Sequence, residues 1–457
     1  MPKKKYSFLL TAMNAAGPVN AVLGFGELLK RHGHEVTFAH RSTFRRAAES
    51  RGFLFLPLSQ GLLGDDQTML NAMDTNADTF RIDPLERYRN VTQQDKERLA
   101  ALEAQYRNLE QCLFGIVAAH QTQFDAFVHD FCDLTRALFA TRHPVISLLS
   151  ANPLCLYENG PPISFGFSTT SDPNVWAEAK RLFIEAHELN IARTNTMLSE
   201  FNRPAVFDPL RLVLPVKTIG FYHYPAQLDY EEYSPKEGGW HRIDCFIRSV
   251  EPEGISLPLT FFDKPGKLIY FSLGSIASSH LDLMQQIIDI LAKAPHKFII
   301  SKGIRGDDLK LYDNMWGQNH LDQIQVLDLV DLVIIHGGNN SLMETLYYAK
   351  PFIVIPYFFD QYDNAQRVVD RNVGYRINIW EINEERLLNC IELALNDVEK
   401  HNRIREISQS MRNSDSGTQA VRMIETIIEE AKASRSSSRS GSIPSSRPGS
   451  RPGSSMT

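Results

Sequence analysis

Apolar runs alternate with helical patterns through the first half of the chain. After the first run, apolar positions recur at helical spacing from Val19 to Arg31, and Gly33 follows as a helix stop. This alternation predicts a doubly wound α/β sheet, with parallel strands at its centre and helices on both faces. Four runs are its predicted strands: Ser7 to Met13, His34 to Ala39, Phe124 to His129 and Pro144 to Leu149.

The same alternation returns in the second half and predicts a second doubly wound sheet. The stretch between the two series, Pro225 to Pro265, is polar and has proline and glycine near both ends. We therefore predict that it is an interdomain linker. The predicted strands of the second sheet are Lys267 to Leu273, Phe298 to Ser301, Ile324 to Leu327, Leu332 to Ile335, Phe352 to Pro356 and Tyr375 to Ile379.

One part of the second half combines a buried strand, a tight turn and a helix. The apolar run ends at His336-Gly337-Gly338, and a helix is predicted from Ser341 to Ala349. Glycines let an anion approach the backbone, and the free N–H groups and the dipole of a helix start attract negative charge. Asn340 and Ser341, with the histidine, add side-chain donors. The turn therefore predicts a phosphate site.

A second polar pair follows the next predicted strand. Lys350-Pro351 ends the helix, because the residue before a proline is pushed out of the helical region. The loop after the strand carries Asp360-Gln361. A carboxylate beside an amide, at the carboxyl end of a strand near a phosphate site, suits hydrogen bonding to vicinal sugar hydroxyls.

At these residues the chain resembles the nucleotide-sugar-dependent glycosyltransferases of the GT-B fold, the UDP-glycosyltransferase family. The segments HGGNNS and DQYDNAQ are most similar to the soluble macrolide-type and mite-type enzymes. The resemblance implies two Rossmann-like domains that face each other across a cleft, with a UDP-sugar as the donor. The residues at the family's spacing are His336, Gly337, Gly338, Asn340, Ser341, Glu344, Asp360, Gln361 and Asn364.

The resemblance also implies individual roles in the donor site. Glu344 lies one helical turn beyond Asn340, so its carboxylate is expected to bind the ribose hydroxyls; without the motif it would be a solvated helix residue. Gly274 and Ser275, after the first strand of the second domain, resemble the family's phosphate-contacting turn. Gln323 matches a nucleotide contact of the family.

Two positions before Gln323 depart from the family's pattern. His320 stands where the family has a tryptophan that stacks on uracil, and it offers a smaller aromatic face. Asp322 stands in place of a proline, and we expect it to loosen that turn. Base binding is therefore expected to be weaker or less selective.

A further departure concerns the catalytic base. The family has Gly-His-(Val/Ile)-Asn-Pro after the first strand, and its histidine takes the proton from the acceptor; here the segment is Gly17-Pro18-Val19-Asn20-Ala21. Pro18 cannot accept a proton, although it suits the first turn of a helix. Asp130, the expected partner of the base, is retained as the catalytic residue. His129 should point to the opposite face of its strand and is expected to be structural.

The resemblance and the pattern of apolar runs together predict the domain boundaries of the chain. Residues 1–224 are predicted to form the acceptor-binding domain, 225–265 the linker, and 266–405 the nucleotide-sugar-binding domain. Residues 406–433, with a helix from about Gly417 to Ala433, are expected to return to the first domain.

Two polar segments are not expected to belong to the two α/β sheets. Residues 434–457 are rich in Ser, Arg, Pro and Gly and are predicted to be disordered. Between Gln60 and Gln123 lies a charge-rich insertion that either helps to wall the acceptor pocket, as in relatives, or forms a solvated helical hairpin.

Length and composition limit the classes of protein to which the chain can belong. The 457 residues are enough for two or three domains, and a net charge of −6 gives no reason to expect nucleic acid as a partner. The five cysteines form no CxxC pair, which favours a reducing compartment. No apolar segment reaches the roughly 20 residues of a membrane helix. We expect a cytoplasmic, unanchored monomer without metal or cofactor.

Two function classes remain open. The first is an inverting glycosyltransferase that transfers a hexose, with glucose favoured, from a UDP-sugar to a small lipophilic or phenolic acceptor in detoxification or secondary metabolism. The second is a UDP-sugar-binding protein with impaired catalysis, because Pro18 occupies the position of the base. Retention of Asp130 and of the sugar-contacting residues favours the enzyme.

Overall fold

A computed structural model shows the two sheets that the alternation predicts. It describes residues 4–58, 78–97, 115–120, 122–130, 136–157, 159–202, 216–233, 238–250, 254–255, 257–258, 261 and 263–440. The predicted insertion and the predicted C-terminal tail lie partly outside these ranges.

The first sheet has seven parallel strands in the order β3-β2-β1-β4-β5-β6-β7. Its central strands are almost wholly buried, since helices cover both faces. The strands are β1 Ser7–Thr11, β2 Glu35–His40, β3 Leu54–Pro57, β4 Ala126–Asp130, β5 Val145–Leu149, β6 Ile219–His223 and β7 Trp240–Ile243.

The second sheet has six parallel strands in the order β10-β9-β8-β11-β12-β13. Its strands are β8 Leu268–Ser272, β9 Lys297–Ser301, β10 Met315–Gln318, β11 Leu332–Ile335, β12 Phe352–Val354 and β13 Tyr375–Arg376. In both sheets the strand order changes direction beside the first strand, so that the carboxyl ends of β1 with β4 and of β8 with β11 form the crevice where ligands bind in such folds.

The α-helices cover the sheets or join the domains. They are α1 Ala16–Arg31, α2 Arg45–Glu49, α3 Pro84–Arg89, α4 Arg136–Ala140, α5 Pro173–Ala186, α6 Glu188–Glu200, α7 Gly274–Ala277, α8 Leu281–Leu291, α9 Gln323–Leu329, α10 Asn339–Tyr347, α11 Gln361–Asp370, α12 Glu384–Asn396, α13 Val398–Asn413 and α14 Ser416–Ser440. None of the helices in the described ranges is long and apolar enough to span a membrane.

Helix α14 packs on the first domain. Ile424 and Ile428 are buried in one cluster with the residues of β1 and α1. The Tyr6 hydroxyl donates to Glu429 at 2.5 Å, and Lys432 pairs with Asp125 at 2.8 Å. The chain therefore returns from the second domain to brace the first.

Several sequence-based boundaries were wrong. The run Ile324 to Leu327 is part of helix α9, because Asp322 caps a helix start there and a four-residue apolar run cannot distinguish helix from strand. Strand β10 was missed since it contains Gly317, whose missing Cβ allows close contact with the Ile300 carbonyl. The strand predicted from Tyr375 to Ile379 ends at Arg376.

Two segment boundaries also need correction. Strand β7 lies within the predicted linker and pairs with β6, so residues up to 243 belong to the first sheet. Helix α14 continues to Ser440, which makes the first seven residues of the predicted disordered tail helical. Residues 441–457 lie outside the described ranges.

Candidate active site

The predicted phosphate turn lies at the carboxyl end of β11. Gly337 has φ +83°, which favours glycine, and Gly338 is the N-cap of α10. A Cβ at Gly338 would stand 2.5 Å from the His336 ring, so both glycines are needed for this geometry. The α10 N–H groups are thereby left open to an anion.

The neighbouring strand β8 brings a second turn to the same place. Ile335 pairs with Ser272, and Gly274 follows with φ +72°. A Cβ on Gly274 would meet the His336 ring at 2.6 Å, so the two predicted phosphate turns touch. Ser275 is exposed in the first turn of α7. Burial lowers the pKa of His336 to about 4, and the ring is therefore neutral at pH 7.

Glu344 is buried on α10, one turn beyond Asn340. The Gln323 amide donates to its Oε2 at 2.7 Å, and the Arg248 Nε lies 3.4 Å from its Oε1. Burial raises the pKa of Glu344, and the positive charge of Arg248 opposes that rise. Glu344 and Gln323, predicted to contact the nucleotide, are thus in direct contact.

Asp322 does not loosen the turn before α9, contrary to our expectation. Its carboxylate accepts the Ile324 N–H at 3.3 Å as a helix cap and pairs with the Arg248 guanidinium at 2.8 Å. His320 is exposed two residues earlier.

The sugar-binding pair lies at the start of α11. Asp360 is buried, and its carboxylate accepts the Asn152 N–H of the first domain at 2.8 Å. Burial raises the pKa of Asp360 to about 7. The Gln361 side-chain oxygen accepts the backbone N–H groups of Tyr357 at 3.0 Å and Phe358 at 3.3 Å. Both side chains stand at the predicted place, and each already has a protein partner.

Helix α11 is held along its length by the first domain. Asp363 accepts the N–H groups of Ser164 at 2.6 Å and Gly166 at 3.0 Å, and Asp370 accepts the Ser168 hydroxyl at 2.8 Å. The segment at residues 164–168 therefore contacts the second domain.

Across the cleft, the start of α1 faces the start of α10. The Asn340 amide donates to the Gly17 carbonyl at 2.6 Å, and Pro18 is half-buried in the first turn of α1. Asp130 ends β4 and is fully buried. Val128, which shares its strand face, belongs to the same core cluster as α1, so Asp130 points toward the helix that carries Pro18.

His129 lies on the other face of β4. Its Nε2 contacts the Ser147 hydroxyl at 2.8 Å, and its Nδ1 lies 2.8 Å from the Asp130 carbonyl oxygen. Burial lowers its pKa to about 4. Both ring nitrogens are engaged, as is typical of a structural histidine.

Three site residues were missed by sequence reasoning. Asn152 follows strand β5, and its amide donates to Asn364 at 2.7 Å; a polar side chain just beyond a strand end was the available signal. Asn339 donates to the His223 carbonyl at 3.2 Å. Arg248 had no local signal, because it lies in irregular chain and its partners are more than 70 residues away.

Two parallel-sheet α/β domains that face each other form the architecture of the GT-B glycosyltransferases. A family model described as UDP-glucoronosyl and UDP-glucosyl transferase matches residues 262–427. Residues 262–427 thus form a UDP-glycosyltransferase domain, and the chain is accordingly a glycosyltransferase.

Similar proteins cover different parts of the chain. The NDP-glycosyltransferase YjiC of Bacillus subtilis (strain 168) is 24% identical over 437 residues, which is 94% of this chain and 99% of that protein. A sterol 3-beta-glucosyltransferase of Komagataella phaffii is 25% identical over 224 residues, 46% of this chain and 18% of that protein.

Solved structures support the fold. The glycosyltransferase of kitacinnamycin has a TM-score of 0.64 at 18% identity and covers 93% of this chain and 100% of its own. The calicheamicin glycosyltransferase CalG4 has the same TM-score at 14% identity, with 93% and 99% covered. Within the described ranges, no three His, Cys, Asp or Glu side chains cluster as metal ligands would.

Proposed function

We propose that this protein transfers a hexose, with glucose favoured, from a UDP-sugar to a hydroxyl or carboxyl group of a small lipophilic acceptor, with inversion at C1. One observation carries the proposal. The open start of α10, the buried Glu344 one turn along that helix and the buried Asp360 at the start of α11 follow two neighbouring strands of the second sheet, so groups suited to a diphosphate, a ribose and a hexose lie close together.

The residues of the second domain would bind the donor and stabilise the leaving group. The N–H groups of the first turn of α10, with Asn340 and Ser341, meet the charge of the diphosphate. As the acceptor oxygen forms its bond to C1, the bond from C1 to the phosphate oxygen breaks and UDP leaves. The negative charge that grows on UDP is then held by donors already in position.

The first domain would supply the acceptor side. Pro18 has no proton acceptor, so the acceptor must lose its proton to water or to a group other than residue 18. Loss of general-base help costs about 10²- to 10⁴-fold. Phenols and carboxylic acids escape part of this loss, because they ionise more readily than alkyl alcohols. We therefore infer that acidic acceptors are preferred.

The second candidate is a UDP-sugar-binding protein with impaired catalysis. Pro18 favours it. The hydrogen bonds that Asp360 and Gln361 accept from backbone N–H groups favour it as well, because a bound sugar must share or replace these bonds. Binding of the donor is common to both candidates, and turnover separates them.

Calorimetry with UDP and UDP-glucose tests donor binding. Glu344→Ala should weaken UDP, and Asp360→Ala should weaken UDP-glucose more than UDP, because only the sugar reaches Asp360. Glu430→Ala, an exposed glutamate of α14, is the matched control and should change neither. Absence of UDP binding at about 1 mM ligand would refute the proposal.

A panel of UDP-hexoses and a mixed acceptor library then test transfer. Release of UDP with phenols or carboxylic acids would establish the enzyme and identify its sugar. Bound donor without turnover on any acceptor would leave the second candidate standing.

A further inference from the structure

Arg248 lies on a segment that is fixed to the first domain. The next residue, Ser249, donates its N–H to Glu27 Oε2 at 2.8 Å and its hydroxyl to Glu27 Oε1 at 2.6 Å. Glu27 is on α1, and Gly24 of the same helix touches the segment so closely that a Cβ would stand 2.4 Å from the Phe246 carbonyl. The backbone at Arg248 is therefore anchored on α1.

The side chain of Arg248 reaches into the second domain. Its Nη2 lies 2.8 Å from Asp322 Oδ1, and its Nε lies 3.4 Å from Glu344 Oε1. All three side chains are at least nine-tenths buried. Asp322 holds one edge of the planar guanidinium, which fixes the direction in which Nε points.

Glu344 is thereby held from two sides. Gln323 donates to one carboxylate oxygen and Arg248 faces the other. Each oxygen of a carboxylate can accept about two hydrogen bonds. One acceptor position on each oxygen thus remains for a pair of neighbouring hydroxyls.

We propose that Arg248 is a positioning residue for the donor nucleotide, which holds the Glu344 carboxylate in the orientation that binds both ribose hydroxyls. The inference rests on the proposed function, because that function assigns the ribose to Glu344. Asp322, which stands where the family has a proline, anchors Arg248 and shares this role.

The charges around Glu344 agree with this role. Burial and the neighbouring Asp322 raise the pKa of Glu344, whereas Arg248 and the Gln323 amide lower it. Removal of the guanidinium favours the protonated carboxyl, which has lost part of its acceptor capacity. Tyr270 of β8 and Tyr348 also lie near Glu344; burial raises the pKa of both hydroxyls, and the Glu344 carboxylate adds to the rise.

The test compares two ligands on the full-length protein by calorimetry. UDP carries both ribose hydroxyls and 2′,3′-dideoxy-UDP carries neither, whereas base and diphosphate are the same. Arg248→Met keeps most of the side-chain length without the charge. We expect it to weaken UDP about 10-fold or more and to change 2′,3′-dideoxy-UDP by less than about twofold. Arg422→Met, at an exposed arginine of α14, is the matched control and should change neither.

Other outcomes overturn the inference. Equal weakening of both ligands would mean that Arg248 contacts the base or the phosphates directly. Tighter UDP binding would mean that Arg248 competes with the ribose. Unchanged UDP binding with a lowered melting temperature would leave Arg248 with a purely structural role.

A second variant keeps the inference testable if Arg248→Met does not fold. Asp322→Asn keeps the oxygen that caps α9 but removes the charge that anchors Arg248, and it should show the same ligand dependence with a smaller loss. If the variant binds each of the two ligands as tightly as the wild type does, the inference is also overturned. Failure of the wild type to bind UDP at all would instead refute the proposed function.

Discussion

Pro18→His is the substitution that separates an enzyme without a base from a binding protein. Thr11, the last residue of β1, pairs with His129 of β4, so Ala12 lies beside Asp130. Asp130 points toward α1, and Pro18 is in the first turn of that helix. An imidazole at position 18 would therefore face a buried carboxylate that can orient it and stabilise its protonated form.

The size of the effect follows from what the imidazole would add. A positioned general base contributes about 10²- to 10⁴-fold, which is roughly 2.7 to 5.4 kcal/mol of activation free energy. We expect the lower end, about 10²-fold, on alkyl alcohols, because the surrounding side chains are packed around a proline. The gain on phenols and carboxylic acids should be smaller. Residue 18 lies among the first helical positions, whose N–H groups need no intrahelical partner, so stability should change by less than about 1 kcal/mol.

The assay is UDP release with a mixed acceptor library, wild type beside Pro18→His. Pro18→Asn is the matched control, because it has a similar size and no basic nitrogen. A variant that binds UDP-glucose normally and gains nothing on any acceptor would contradict the expected gain and favour the binding protein. If the wild type turns over alkyl alcohols at ordinary rates and His129→Ala abolishes this, the base has been assigned to the wrong position.

Three further predictions concern the contact between α11 and the first domain. Arg367→Met should lower the free energy of unfolding by about 2 to 4 kcal/mol in urea titrations, because the Leu228 carbonyl loses its donor and the Asp229 carbonyl keeps only Arg371; an unchanged midpoint would contradict this. Burial raises the pKa of Asp363 to about 8. Between about pH 4 and about pH 8 this carboxyl therefore ionises only in the unfolded chain, and the free energy of unfolding should fall as the pH rises through that range. Asp363→Asn should reduce that fall between pH 5 and 8, and an equal fall in both proteins would exclude Asp363 as its source. Gly166→Ala should also destabilise, because φ is +65° and the new Cβ would stand 2.7 Å from the Tyr362 carbonyl; a melting temperature equal to that of the wild type would refute it.

The local elements and their order could be predicted from the amino-acid sequence. Apolar runs of the right length predicted both sheets, and β11 was predicted with the bounds that it has. The turn at His336-Gly337-Gly338 could be predicted, because a glycine pair between a buried strand and a helix constrains the backbone locally. The opposite directions of His129 and Asp130 followed from strand alternation alone.

The residues that meet across the cleft could not be predicted from the sequence and are visible only in the folded protein. Arg248 and Asp322, or Asn152 and Asp360, are 74 and 208 positions apart, and no periodicity along the chain relates them. Such pairs depend on how two separately wound domains dock. The same docking shows that Asp322 is a helix cap and the anchor of an arginine, where the sequence suggested only a lost proline.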